Sequence, residues 1–352
     1  MSSPRTLRLC LLGFGNVARA LCRLLDAQEA VLADRHGLRV VVTAVGTRHG
    51  SLVAEEGLRP GEVLAVVGDG PPPQAPRPAA ELLAAAPADV LVELTVMGDV
   101  ARLAQGPAPV RPPATEHVLA ALARGMDVVT ANKAPIAWNW PEVRAAATAA
   151  GRRVRFESTV MDGLPVFSLL EFTLPDCRLL GFEAVFNATT NFIIDAMAAG
   201  RPFADALAQV QAEGYAEADP RNDTDGWDAA SKAAALANVA MDAGITPLDV
   251  ERQTLAEVPL ERIRAAREAG RRLRLVTSVW RDDDGRVRGR LAARELDVDH
   301  PLAAVGGEAL GAVLHTDLMA DVVVSERHAY VAQTAYGVYA DLLHLCRTGT
   351  GS

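Results

Sequence analysis

Six residues near the start of the chain, Gly13-Phe14-Gly15-Asn16-Val17-Ala18, limit what it can fold into more than any others. They follow a short apolar run, LRLCLL at 7–12. They precede an amphipathic stretch from Asn16 to about Asp34 that sets Val17, Leu21, Leu24 and Leu25 on one face. A second β-branched run, RVVVTAV, occupies 39–45. Strand, glycine turn, helix and strand in that order make one βαβ unit with G-x-G-x-x-A at its turn. Gly13 permits the tight turn, Gly15 lets backbone approach a pyrophosphate, and Ala18 lets the helix pack closely on the strand. The helix start at Asn16 and Val17 then offers amide donors and a partial positive charge to phosphates. The pattern predicts dinucleotide binding; the competing reading is a glycine turn that ends an ordinary strand.

The end of the second strand selects between the two nicotinamide cofactors. An acid there would bond a ribose 2′-hydroxyl, but the stretch reads Gly46-Thr47-Arg48-His49. An arginine neutralises a 2′-phosphate instead, so Arg48 favours NADP over NAD. Arg48 as a solvated loop residue is the other reading.

Downstream, PPPQAPRP at 71–78 reads as a loop and DVLVELTV at 89–96 as a parallel strand, continuously apolar because both faces are covered. Residues 98–114 read as irregular. Helix 115–124, strand 126–130, helix 141–150 and a strand near 153–157 follow. The middle of the chain mixes strands at about 179–187 and 275–298 with helices at about 203–213, 227–243 and 261–269. A last helix is expected at 329–346. The fold class is therefore α/β: a Rossmann-type nucleotide-binding domain over 1–150 and an α+β catalytic domain over 151–324.

Composition narrows the function. The 352 residues suffice for two domains, and half of them are hydrophobic, enough for a sizeable core. With 35 basic and 44 acidic side chains the net charge is −9, which argues against nucleic acid as a partner. No apolar run is long enough for a membrane span. The opening MSSPRTLRLCLLGFG runs straight into the glycine turn and does not read as a signal peptide. Cys10, Cys22, Cys177 and Cys346 are far apart and form no C-x-x-C pair. They read as small buried apolar residues in a reducing cytoplasm, not as a zinc site or a disulfide framework.

The segment 214–232, GYAEADPRNDTDGWDAASK, carries the chemistry. It places Glu217, Asp219, Asp223, Asp225 and Asp228 just before Lys232, which lies one helical turn after Asp228 on the same face. An acidic helix start with an ordinary i,i+4 pair would look similar. However, the helix continues as AALANVAM, so Lys232 sits on a largely buried element. A lysine held among carboxylates can give a proton to the alkoxide that develops as hydride reaches an aldehyde, or take it back on oxidation. Carboxylates would also bind a substrate amine.

This segment resembles the signature of homoserine dehydrogenases, and further motifs agree in order along nearly the whole chain. Thr130-Ala131-Asn132-Lys133 resembles the family's T-A-N-K. Phe156-Glu157-Ser158-Thr159-Val160-Met161-Asp162-Gly163-Leu164-Pro165 is similar to its E-A-T-V-x-G-G-x-P stretch. Phe186-Asn187-Ala188-Thr189-Thr190-Asn191 resembles N-G-T-T-N, and His300-Pro301-Leu302-Ala303 is a weaker match. The resemblance implies NAD(P)-dependent interconversion of L-homoserine and L-aspartate 4-semialdehyde, a step towards threonine and methionine. It implies Lys232 as proton donor, with Glu217, Asp223, Asp228 and Thr189 on the substrate side. Lys133 would be a second active-site lysine near the nicotinamide. Thr95, Asn132 and Lys133 would join Gly13, Gly15, Asn16, Val17 and Arg48 on the cofactor side. Glu157, with the carbonyls of Val160, Asp162 and Leu164, would hold a structural monovalent cation, a sodium ion. The family also implies a homodimer made through the middle domain, and a C-terminal segment, 325–352, that completes the nucleotide domain. A regulatory C-terminal domain is not expected, because the chain ends soon after that helix.

Three positions depart from the family's pattern. Ala188 and Asp162 replace glycines, and Ser325-Glu326-Arg327-His328-Ala329-Tyr330-Val331 stands where the family has a G-P-G-A-G loop over the nicotinamide. Glycines let backbone approach a cofactor, whereas these side chains fill space and bring charge. His328 there is either a titrating group of the site or a surface histidine. Three functions follow: the homoserine reaction itself, a related dehydrogenase acting on another amino alcohol or hydroxy acid, and a catalytically silent nucleotide-binding homologue. Retention of Glu217, Asp223, Asp228, Lys232 and Lys133 speaks against the last.

Overall fold

The computed structural model describes residues 4–85, 87–106, 110–213, 215–216 and 219–347. Two six-stranded sheets organise it. The first consists of β1 (Arg5–Leu12), β2 (Leu38–Thr47), β3 (Gly50–Leu58), β4 (Val90–Glu93), β5 (Asp127–Thr130) and β6 (Val154–Arg155), in the order β3-β2-β1-β4-β5-β6. Every pairing is parallel except β2 with β3. Helices cover both faces, so β4 and residues 9–12 at the end of β1 bury every side chain, which is why they read as apolar runs.

The structure departs from the sequence reading at several edges. The stretch after the glycine turn is two helices, Asn16–Ala27 and Glu29–His36, parted at Gln28. Strand β3 was not expected; its outer half is partly exposed, so it lacks a continuous apolar signature. Within the segment read as irregular, Val100–Ala104 forms a short helix capped by the Asp99 carboxylate, which accepts from Arg102 N. The helix read as 141–150 begins at Ala134 and kinks at Asn139, two residues before Pro141. Proline has no N–H to give and crowds the preceding turn.

The second sheet is mixed: β7 (Leu179–Val185), β8 (Val250–Arg252), β9 (Arg272–Arg281), β10 (Val287–Leu296), β11 (Leu310–Thr316) and β12 (Asp321–Glu326), in the order β12-β11-β7-β9-β10-β8. The apolar region 275–298 is thus the antiparallel hairpin β9–β10, turned at Asp282–Gly285. One sheet face packs Phe182, Leu275 and Leu291 against the Ala-rich helix Trp227–Ala240.

Two helices bind the sheets together. Helix Trp227–Ala240 lies against helix Ala134–Ala150, and Asn238 Nδ2 donates to Ile136 O at 3.0 Å. The last helix, Val331–Arg347, buries Ala335, Val338 and Leu342 in the same cluster as Leu9 of β1 and Leu21 of the first helix. Its Gly337 lies so close to the 158–163 segment that a Cβ would sit 2.2 Å from Ser158 Oγ. Among the described residues, no helix is long and apolar enough to cross a membrane.

Candidate active site

The glycine turn lies at the C-terminal edge of the first sheet. Gly13 has φ +88°, and a Cβ on it would lie 2.5 Å from the Leu94 carbonyl. Both facts demand glycine there. Gly15 differs: it precedes the helix Asn16–Ala27, and a Cβ on it would meet no protein atom within 4 Å. Open space above free helix amides is what a pyrophosphate requires, so these residues fit a dinucleotide. Ala18 is fully buried against the strand.

A cleft of about 720 Å³ opens beside this turn. Val17, Thr95, Asn132, Lys133, Asp223 and Asp228 are among its lining residues. Asn132 donates through Nδ2 to Thr95 O at 2.9 Å and accepts from Ala134 N at 3.0 Å, which ties the ends of β4 and β5 together. Asn16 is exposed at the first helical turn. Arg48 is exposed, with its Nε 2.8 Å from His49 Nε2.

Opposite, the second sheet's helices supply charge. Asp228 stands between two lysines: Lys232 Nζ at 3.0 Å from Oδ2 and Lys133 Nζ at 3.1 Å from Oδ1. Lys232 also donates to Phe186 O at 2.7 Å. An ammonium has three donors, so these contacts, among the described residues, leave one for a substrate oxygen. Asn187 Nδ2 donates to Asp223 Oδ1 at 2.7 Å and to Asp228 Oδ2 at 3.1 Å, while its Oδ1 caps the helix Ala188–Ala198. Thr189 follows on that helix and donates to Tyr215 O at 2.8 Å. The side chains of Lys133, Asp228 and Lys232 are 17%, 14% and 16% exposed, so they are largely shielded yet reachable.

Electrostatics follow from this packing. Burial alone would lower the Lys232 pKa, but the carboxylates of Asp228 and then Asp162 outweigh it and hold the ammonium above its ordinary value. Burial pushes Asp228 up, yet Lys232 and Lys133 on either side bring it well below the usual carboxylate range. Asp223 moves the other way: burial and the charge of Asp228 raise it. The result is a charged lysine–carboxylate–lysine bridge with a second, more readily protonated acid beside it.

Of the five acids in the signature segment, the structure brings Asp223 and Asp228 to the lysine. Asp219 pairs instead with Arg221 at the exposed mouth. Asp225 accepts from Thr224 Oγ1 at 3.3 Å. Glu217 lies outside the described residues. Asn187 and the Phe186 carbonyl were not singled out from sequence; the quoted N-A-T-T-N stretch contained the signal, without a role for its first residue.

Three of the residues named as cation ligands, Glu157, Leu164 and Asp162, have partners within the chain. Both Glu157 carboxylate oxygens accept from the chain: one from Phe167 N at 2.8 Å, the other from Ser168 N at 2.8 Å and from Ser168 Oγ. The Leu164 carbonyl accepts from Val166 N at 2.8 Å. Asp162, at φ +48°, accepts from Thr334 Oγ1 at 2.9 Å on the last helix. Glu157 here serves as an anionic cap on the turn at Val166. In the segment that replaces the glycine loop, His328 Nδ1 lies 3.1 Å from Glu308, which Tyr330 and Tyr215 also contact. Glu326, next to it, is raised to about 7 by burial and the charge of Asp162.

Comparisons with known proteins agree with this geometry. Residues 165–343 match the family described as homoserine dehydrogenase, and residues 110–157 match its NAD-binding domain. An NAD(+)-dependent homoserine dehydrogenase of Pseudomonas canavaninivorans is 33% identical over 350 residues, 97% of each chain. A structure of the homoserine dehydrogenase of Thermoplasma acidophilum superposes with a TM-score of 0.82 at 27% identity, covering 98% of this chain and 100% of that one. A hyperthermophilic archaeal homoserine dehydrogenase in complex with NADPH gives 0.80 at 27% identity, over 97% and 98%.

Proposed function

This chain belongs to the homoserine dehydrogenase family, whose members are nicotinamide-dependent oxidoreductases acting on a CH–OH group, and on that premise we propose how its own residues divide the work. The reaction is the interconversion of L-homoserine and L-aspartate 4-semialdehyde. The observation that carries the reading is the Lys133–Asp228–Lys232 bridge, which joins the two sheets across the cleft beside the glycine turn. When bound, the nicotinamide supplies hydride to the aldehyde carbon or takes it from the alcohol carbon.

Lys232 Nζ–H gives its proton to the carbonyl oxygen as that oxygen becomes an alkoxide. On oxidation, neutral Lys232 takes the proton from the homoserine hydroxyl. Asp228 holds Lys232 in place and keeps it charged until substrate arrives. Asp223 receives the substrate ammonium, with Thr189 beside it, and the family resemblance gives Glu217 the same role. Lys133 and Asn132 would hold the nicotinamide end of the cofactor, and Gly13, Gly15, Asn16 and Val17 would hold its pyrophosphate.

For the cofactor, Arg48 and the absence of an acid at the end of β2 support NADP over NAD. For assembly, the face of the second sheet turned away from the helices carries Trp280 and Val323, 42% and 49% exposed, which supports a homodimer through that sheet. Four free cysteines support a reducing cytoplasm. The experiment is oxidation of L-homoserine with NADP+ and with NAD+, followed by absorbance of the reduced cofactor. Turnover with NADP+ preferred, and a preference reversed in Arg48→Glu, is expected. No turnover with either cofactor would refute the proposal, and an unchanged preference in the variant would remove Arg48 from it.

A further inference from the structure

Glu93 is the last residue of β4, in register with Leu12 of β1 and Thr130 of β5. Its side chain is completely buried, at the end of a strand whose other residues, Val90, Leu91 and Val92, are aliphatic. One carboxylate oxygen takes everything: the Thr95 hydroxyl, Thr95 N at 3.4 Å, and His117 Nδ1 at 3.2 Å from helix Pro113–Ala123. The other oxygen has no hydrogen-bond partner among the described residues. A buried acid with an idle oxygen costs more than an apolar side chain of similar size would, so packing alone does not account for it.

What the carboxylate holds explains its place. Thr95 follows directly on the strand end and lines the cleft. Its carbonyl takes the Asn132 amide at 2.9 Å, and its neighbour Leu94 lies against the Gly13 turn, so close that a Cβ on Gly13 would strike it. The wall formed by Leu94 and Thr95 is therefore pinned from three sides: by Asn132, by the glycine turn, and from beneath by Glu93. Beyond it, Val96 is 88% exposed. His117, with its side chain 20% exposed, supports the carboxylate from the helix side.

We infer that Glu93, backed by His117, is a positioning residue for the cofactor, fixing Thr95 so that the wall of the cleft stands ready before the dinucleotide arrives. This rests on the cofactor reading above. An ordered wall spares binding the cost of ordering it, so the effect belongs in cofactor affinity and not in the proton transfer at Lys232.

Fluorescence titration of the full chain with NADPH tests this, together with steady-state kinetics and thermal unfolding. Glu93→Leu removes charge and acceptor while keeping an apolar fit. It is expected to raise the Kd for NADPH about tenfold, the loss typical when a hydrogen bond to a charged group disappears. The cofactor KM rises in step, kcat at saturating cofactor falls much less, and the unfolding midpoint moves by no more than a few degrees. Glu93→Gln keeps an acceptor for the Thr95 hydroxyl and recovers most of the affinity. Should Glu93→Leu fail to fold, Thr95→Val removes the same hydrogen bond from the other side and is expected to weaken NADPH equally. Unchanged affinity in the Leu or the Val variant overturns the inference, as does a Gln variant no better than Leu. If the unaltered chain itself binds no NADPH, the cofactor reading fails first and takes this inference with it.

Discussion

The two halves of the molecule build their shares of the cleft from different materials. The first sheet offers backbone: a left-handed turn at Gly13, open space at Gly15, and the amides of the helix start. The second offers side chains, Asn187, Asp223, Asp228 and Lys232, carried on helices that cover one sheet face. A backbone site is written in one contiguous hexapeptide and depends on what is absent. A side-chain site is drawn from segments some forty residues apart and depends on helix packing to bring charges into register. Lys133 reaches from the first half to the second by pairing with Asp228.

The contrast can be broken most severely at the turn. Gly13→Val combines a positive φ with a Cβ 2.5 Å from the Leu94 backbone. It is expected to cost about 3 kcal/mol or more of stability, with cofactor binding lost as well. Gly15→Val adds a side chain where no protein atom stands. Its unfolding midpoint should change little while NADPH affinity falls at least about tenfold, because the new methyls occupy the pyrophosphate's space. Thermal unfolding beside NADPH titration separates the two; equal loss of stability in both would contradict the distinction.

The helix that joins the halves gives a smaller effect. Asp341 is 2% exposed, accepts from Glu157 N at 2.8 Å, and burial raises its pKa to about 8. The stability that its uncharged form provides is complete below the unfolded carboxyl's pKa, about 3.9, and is lost as pH rises through 8. Asp341→Asn keeps the acceptor and cannot ionise. Its advantage over the unaltered chain should grow from pH 4 to pH 8, to on the order of 1–3 kcal/mol, and then level off. Denaturant unfolding across that range measures it; an advantage that does not vary with pH would be inconsistent with a buried ionising acid.

Much of this contrast was legible in the residues. G-x-G-x-x-A with the runs on either side announced β1, the turn and the first helix, because parallel strands buried on both faces leave unbroken apolar stretches. The acid–lysine segment announced Asp228 and Lys232 through their i,i+4 spacing on an apolar helix. Strand β3 was hidden because an edge strand with polar residues in its outer half shows no clean period. The positions of Asp219 and Asp223 could not be told apart in one dimension: both precede the same helix, yet one meets Arg221 at the surface and the other is buried beside Asn187. Glu93 looked like part of an apolar strand, and only the neighbouring helix that carries His117 reveals its environment.

The mildest perturbation sharpens the side-chain half. Asp162 replaces a glycine of the family's pattern, holds φ +48°, and is the second-largest cause, after Asp228, that raises Lys232. Asp162→Asn removes that charge, so the Lys232 pKa should fall. Homoserine oxidation, which needs the neutral amine, should then begin its alkaline rise at lower pH, by roughly half a unit. Asp162→Gly should shift the profile in the same direction and add about 1 kcal/mol of stability by relieving the left-handed backbone. A profile that stays in place in both variants would mean that Asp162 does not act on the titrating group.

The direct test of the whole account is Lys232→Ala, assayed for L-homoserine oxidation at saturating NADP+ alongside NADPH titration. With the donor beside Asp228 gone and the glycine turn intact, turnover should fall about 10²–10⁴-fold while the Kd for NADPH stays close to that of the unaltered chain. A variant that retained a tenth or more of its rate, or that lost its cofactor affinity together with its turnover, would contradict the assignment of proton transfer to one half of the molecule and nucleotide binding to the other.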